Sequence, residues 1–193
     1  MKKTLWIIRT DPDSYRSFGP TPEFFERFIE WVDEFREPKS LAAKWPQVEL
    51  ELFEGETGHE EEEQKLPIPD FAKGYIVTAC SERARGIIEP LMKGQVEFLP
   101  LITPVGRYFE MNIQRLSCLD VEHSEVKRFR SGRIMEVIKY AFIWERLEGQ
   151  HIFWIREVGT TPTFVSGEFK RVVEENGLTG LLFYPVPLVE EAE

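Results

Sequence analysis

Apolar and polar positions follow two periods along this chain. Leu5-Trp6-Ile7-Ile8 is a short continuous apolar run, the pattern of a buried strand. Further on, Phe24, Phe25, Phe28, Ile29, Trp31, Val32 and Phe35 recur at helical spacing, while Glu26, Arg27, Glu30, Asp33 and Glu34 fill the other side. Thr21 offers an N-cap and Pro22 a first helical position, where its missing N–H costs nothing. One helix of about four turns is predicted, ending before Pro38. Its stripe suits a core helix; a helix docking a partner is the alternative. Val48, Leu50 and Leu52 then alternate with Glu49 and Glu51, as in a strand with one wet face.

Beyond Leu66 the pattern becomes strand, helix, strand. Gly74 to Thr78 reads as a strand and Ser81 as an N-cap, followed by the helical stripe Ala84, Ile87, Ile88, Leu91 and Met92. Pro90 lacks a backbone donor, so a kink or an early end near Glu89 is expected. Val96 to Pro100 resumes as a strand. The same order returns in Thr163–Val165, Ser166, a helix bearing Phe169, Val172 and Val173, the stop Asn176-Gly177, and Leu181–Pro185. Ser81 and Ser166, Phe98 and Phe183, and Pro100 and Pro185 are each 85 residues apart. Two similar strand–helix–strand units, 77–100 and 163–185, are one explanation; independent use of common capping residues is the other. Arg107–Ile113, Ile134–Trp144 and Ile152–Arg156 are rich in β-branched and aromatic residues and read as strands. The fold class is therefore α+β: a mixed, largely antiparallel sheet with a few packed helices.

Composition narrows the picture. The 193 residues, 42% hydrophobic, suit one compact unit, 1–193, with an N-terminal part, 1–65, and a core, 66–188. The net charge of −10 disfavours a nucleic-acid coat or a polybasic membrane binder. Glu49 to Lys65 holds eight acids and one base, and its centre, Gly55 to Glu63, has no apolar residue, predicting a solvated acidic loop. No apolar run nears the roughly 20 residues that span a bilayer. Thr4 to Ile8 falls short of the apolar stretch of about 7–15 residues in a signal peptide, so a cytoplasmic location is expected. Cys80 and Cys118 sit among apolar neighbours and read as small buried hydrophobes.

The search for chemistry finds no phosphate-binding loop, dinucleotide fingerprint, nucleophile elbow or paired-cysteine metal spacing. His59-Glu60-Glu61-Glu62-Glu63 begins like a zinc-protease helix, but Glu63 stands where the second histidine is required. Asp120, Glu122 and His123 form one acidic group around an imidazole, suited to metal binding or acid–base work, or else to a polar turn. Cys118 and His123 are a conceivable nucleophile and base, although an activated thiolate needs an electropositive, partly exposed site. Lys127 to Arg133 is the one basic cluster and reads as a solvated loop.

Pro69-Asp70-Phe71, Ser81-Glu82-Arg83-Ala84-Arg85-Gly86-Ile87-Ile88-Glu89-Pro90-Leu91 and Val96-Glu97-Phe98-Leu99-Pro100 form an ordered set of motifs. Tyr108-Phe109-Glu110-Met111-Asn112, Leu119-Asp120, Phe164-Val165-Ser166 and Glu174-Glu175-Asn176-Gly177-Leu178-Thr179-Gly180-Leu181 continue it. The set, over residues 66–186, resembles the eleventh-numbered immunity-protein family of bacterial polymorphic toxin systems. The resemblance implies a non-catalytic cytoplasmic inhibitor that binds a cognate toxin protein, with no cofactor and no metal. Acidic residues steer association with basic partners, so Glu54, Glu56, Glu60, Glu61, Glu62 and Glu63 are the candidate partner-binding residues. An enzyme using Asp120, Glu122 and His123, or a scaffolding module presenting the aromatic helix, are the alternatives.

Overall fold

The computed structural model describes residues 4–37, 39–53 and 66–189. The N-terminal elements are β1 (Leu5–Thr10), β2 (Phe18–Pro20), α1 (Pro22–Glu26), α2 (Phe28–Arg36) and β3 (Val48–Leu52). Next come β4 (Phe71–Lys73), β5 (Thr78–Ser81), α3 (Glu82–Ile88), β6 (Val96–Thr103), β7 (Gly106–Ile113) and β8 (Arg115–Leu116). The chain continues with β9 (Glu125–Arg128), β10 (Ile134–Lys139), β11 (Ile152–Ile155), β12 (Thr163–Ser166), α4 (Gly167–Glu175) and β13 (Leu181–Pro185). Two mixed, mainly antiparallel sheets result, ordered β2-β3-β6-β7-β5-β4 and β13-β1-β12-β11-β8, with β9 and β10 forming a separate hairpin. The fold is α+β.

The two strand–helix–strand units share one topology. In the first, β5 and β6 both pair antiparallel with β7, which lies between them. In the second, β12 and β13 both pair antiparallel with β1. Each unit is thus a pair of parallel strands joined by a helix and split by an inserted antiparallel strand. The helices begin alike: Ser81 Oγ accepts from the Ala84 N–H, and Ser166 Oγ from the Phe169 N–H, both at 3.1 Å. As Pro90 predicts, α3 ends at Ile88. Helices α3 and α4 pack together, and one apolar core joins Ala84, Ile88, Leu99 and Met111 to Ile8, Trp154 and Val165 of the other sheet and Phe169 of α4.

Three expectations change. The helix over Phe24–Phe35 is broken at Arg27 (φ −89°, ψ 0°), giving α1 and α2. The turn brings both Phe24 and Phe28 edge-on to Tyr75, with ring centroids 6.1 and 5.8 Å away. Residues 74–77 are not strand but the turn between β4 and β5, and the strand occupies Thr78–Ser81 instead. Finally, β10 stops at Lys139; Phe142 makes a single bridge to Leu119, and Trp144 opens a short 3₁₀ turn. The basic cluster forms the tip of the β9–β10 hairpin, where Arg133 covers the Phe129 ring.

Candidate partner-binding site

The six-stranded sheet curls, so that its edge strands β2 and β4 approach within 8 Å between Cα atoms. Phe18, Val48, Leu50, Ala79, Leu101 and Tyr108 fill the inside of the curve, and Phe24 and Trp31 close it from α1 and α2. Burying these rings is what holds two short helices against a sheet, since helices of this length are unstable alone. A cleft of about 950 Å³ remains between β2, α1 and the 74–77 turn, lined by Phe18, Phe25, Phe28, Phe53, Lys73 and Tyr75 among others.

The aromatic stripe divides here. Phe24, Trp31 and Phe35 are buried and Phe28 is half-buried, so most of it is core. Phe25 is 70% exposed and Ile29 69%, on the side of the helices facing solvent. Phe53, at the end of β3, is 50% exposed. Large exposed apolar side chains grouped about a concave surface are the composition of a binding face.

Glu54, Glu56, Glu60, Glu61, Glu62 and Glu63 lie outside the described residues, as does His59. The residues on either side are described and are pinned to one place. The Phe53 N–H donates to the Ser17 carbonyl at 2.9 Å, and the Arg16 N–H donates to the Pro67 carbonyl at 3.1 Å. Arg16 and Ser17 line the cleft. Phe53 and Pro67 are therefore both held beside the cleft's rim.

Beneath the cleft lies a residue that sequence reasoning passed over. Glu110 of β7 is fully buried. Its carboxylate accepts from three consecutive backbone N–H groups: Tyr75 at 2.7 Å, Ile76 at 2.6 Å and Val77 at 2.5 Å. Burial pushes its pKa up to about 7, against the opposing pull of those donors. The Tyr75 hydroxyl donates to the Phe24 carbonyl at 2.5 Å. Glu110 sits between Phe109 and Met111, where a two-residue period predicts an outward side chain; β7 is central and buried on both faces, so alternation carries no information there.

The acidic group after β8 is a turn. Asp120 Oδ1 accepts from the Glu122 and His123 N–H groups, both at 3.2 Å, and Oδ2 lies 2.8 Å from His123 Nδ1. The hydrogen bond from His123 holds the Asp120 carboxyl below its ordinary range. The His123 side chain stands 74% exposed. Among the described residues, no three His, Cys, Asp or Glu side chains are grouped to hold a metal ion. Cys118 is buried, which pushes its thiol up to about 12, far from thiolate at neutral pH. His151 is taken up locally, with Nδ1 3.0 Å from the capping Ser166 Oγ.

The curved sheet and its partly aromatic cleft form a concave surface with Phe25 and Phe53 exposed on its lining. A model of the immunity protein family (Imm11) matches residues 23–187, and the chain belongs to that family. The match takes in α1, α2 and β3 as well as the region beyond Leu66. No curated protein matches the chain. Among the described residues, no helix is long and apolar enough to cross a membrane.

Proposed function

We propose that this immunity protein binds and blocks a cognate bacterial toxin domain in the cytoplasm, stoichiometrically and without catalysis of its own. The observation that carries this reading is the exposed Phe25 and Phe53 lining a cleft, with Ile29 also exposed on α2. The aromatic side chains supply the desolvated contact that gives affinity, and the acids Glu54, Glu56 and Glu60 to Glu63 supply long-range attraction toward a basic toxin surface. Apolar contact sets the dissociation rate, and charge sets the association rate and its salt dependence.

The test is co-expression with the product of the adjacent gene, followed by binding kinetics at low and high salt. Co-purification at one-to-one stoichiometry supports the reading. Changing Glu60 to Glu63 together to Gln should slow association and flatten its salt dependence. Turnover of a small molecule by the chain alone, with no retained protein partner, would refute it.

A further inference from the structure

We propose that Glu110 is a positioning residue for the partner-binding face, acting through Tyr75 to hold α1 and the exposed Phe25 in place. This deepens the preceding reading and rests on it for what the face binds.

The chain of contacts is short and continuous. Among the described residues no cation pairs with Glu110; its hydrogen-bond partners are the N–H groups of Tyr75, Ile76 and Val77. Three successive amides converging on one carboxyl group hold the turn in a single conformation, since any other would leave buried amides and a buried carboxyl group without partners. The fit is close: a Cβ on Gly74 would stand 2.1 Å from Glu110 Oε2. The turn in turn sets the ring of Tyr75, which is fully buried. That ring touches Phe24 and Phe28 edge-on, and its hydroxyl takes up the Phe24 carbonyl in the last turn of α1, where helical carbonyls lose their partners. Phe25 is the next residue. With only five residues, α1 has no stability of its own, so its position depends on its packing, to which Tyr75 contributes both a ring contact and a hydrogen bond.

This buried carboxylate does work that an apolar residue of similar size cannot. A leucine at position 110 would fill the volume and leave three amides unpaired. A glutamine would keep one carbonyl acceptor and turn an NH₂ group toward donors.

The experiment is backbone amide hydrogen exchange by NMR on the full-length chain, needing no toxin. Phe25 reports α1, because its N–H donates to the Thr21 carbonyl at 2.9 Å. Trp154, whose N–H donates to the Gln114 carbonyl at 3.0 Å in the other sheet, is the control. Glu110→Gln should speed exchange at Tyr75, Ile76, Val77 and Phe25 by about tenfold or more, leaving Trp154 unchanged. Tyr75→Phe, which removes one hydroxyl and keeps the carboxylate's three bonds, should speed Phe25 alone. If Glu110→Gln fails to fold, Tyr75→Phe decides. An unchanged Phe25 in Tyr75→Phe, or a Trp154 that loosens equally with Phe25, overturns the proposal. A failed search for a toxin would overturn the function while leaving these exchange rates as they are.

Discussion

Asp70 and Thr179, 109 residues apart, hold one another by reciprocal hydrogen bonds: the Asp70 N–H donates to Thr179 Oγ1, and the Thr179 N–H donates to Asp70 Oδ2, both at 3.1 Å. The same carboxylate accepts from Ser81 Oγ at 2.9 Å and from Arg83 Nη1 at 2.7 Å. Arg83 also reaches the Asn176 carbonyl at 2.7 Å. One buried aspartate thus ties the start of α3 to the chain leaving α4, joining the two strand–helix–strand units at a seam.

Asp70→Ala removes at once the carboxylate that accepts from Thr179, Ser81 and Arg83. We expect a loss of about 2–4 kcal/mol of unfolding free energy, since the donors of Thr179 and Ser81 are left in a largely buried site. Urea denaturation followed by tryptophan fluorescence measures it; a change below ~0.5 kcal/mol would show the seam to be held by apolar packing alone.

Glu110 makes stability depend on pH in a defined sense. Its pKa rises from 4.5 to about 7 on folding, so between those values the folded chain holds a proton that the unfolded chain has released. Stability from this group is therefore full at the acid end of the window, falls as pH rises through it, and is flat above. At 1.36 kcal/mol per unit the fall amounts to roughly 3 kcal/mol. Denaturation of wild type and Glu110→Gln at pH 5 and pH 8 isolates it, because the fall with pH should be smaller in the variant by this group's contribution.

Gly180 occupies a backbone site closed to other residues. Its φ is +95°, and a Cβ there would lie 2.0 Å from the Phe71 carbonyl oxygen, which is main chain and cannot swing aside. Gly180→Ala should cost about 3 kcal/mol or more. Thermal melts comparing it with Gly86→Ala, where a Cβ meets no atom within 4 Å, give the contrast.

Phe25→Ala and Ile29→Ala should separate binding from folding. Both side chains are about two-thirds exposed or more, so the melting free energy should shift by ~0.5 kcal/mol or less. Affinity for the toxin should fall by about tenfold or more for Phe25→Ala. Unchanged affinity in both would move the interface elsewhere.

Both cysteines should be silent to a thiol reagent until the chain unfolds. Cys80 and Cys118 are buried, and burial raises the pKa of each thiol, that of Cys118 to about 12. Titration with a chromogenic disulfide in buffer and then in denaturant should count none and then two; one reactive thiol in buffer would place a cysteine at the surface.

Local order was readable wherever the responsible groups are neighbours in the chain. Ser81 and Ser166 each cap a helix three residues away, Pro90 stops α3 directly, and the alternation of Val48 to Leu52 needs only one wet face. These depend on backbone donors and side-chain period within a few residues, which is the range a linear pattern covers. The apolar residues of the 74–77 turn carry a strand's pattern; what bends them is Glu110, more than thirty positions away. Phe25 and Ile29 carry the same pattern as Phe24 and Trp31, and only the break at Arg27 and the fit of Tyr75 assign one pair to solvent and the other to the core.

The amino-acid order alone was therefore enough for the α+β class, the two capped helices with the strands that follow them, and the concentration of acid before Lys65. The pairing of β1 between β12 and β13, the reciprocal bond of Asp70 with Thr179, and the cleft closed by Glu110 and Tyr75 came from the packed chain. They join residues whose meeting depends on which sheets stack and which faces lose water, an energy summed over the whole molecule and written in no single stretch of it.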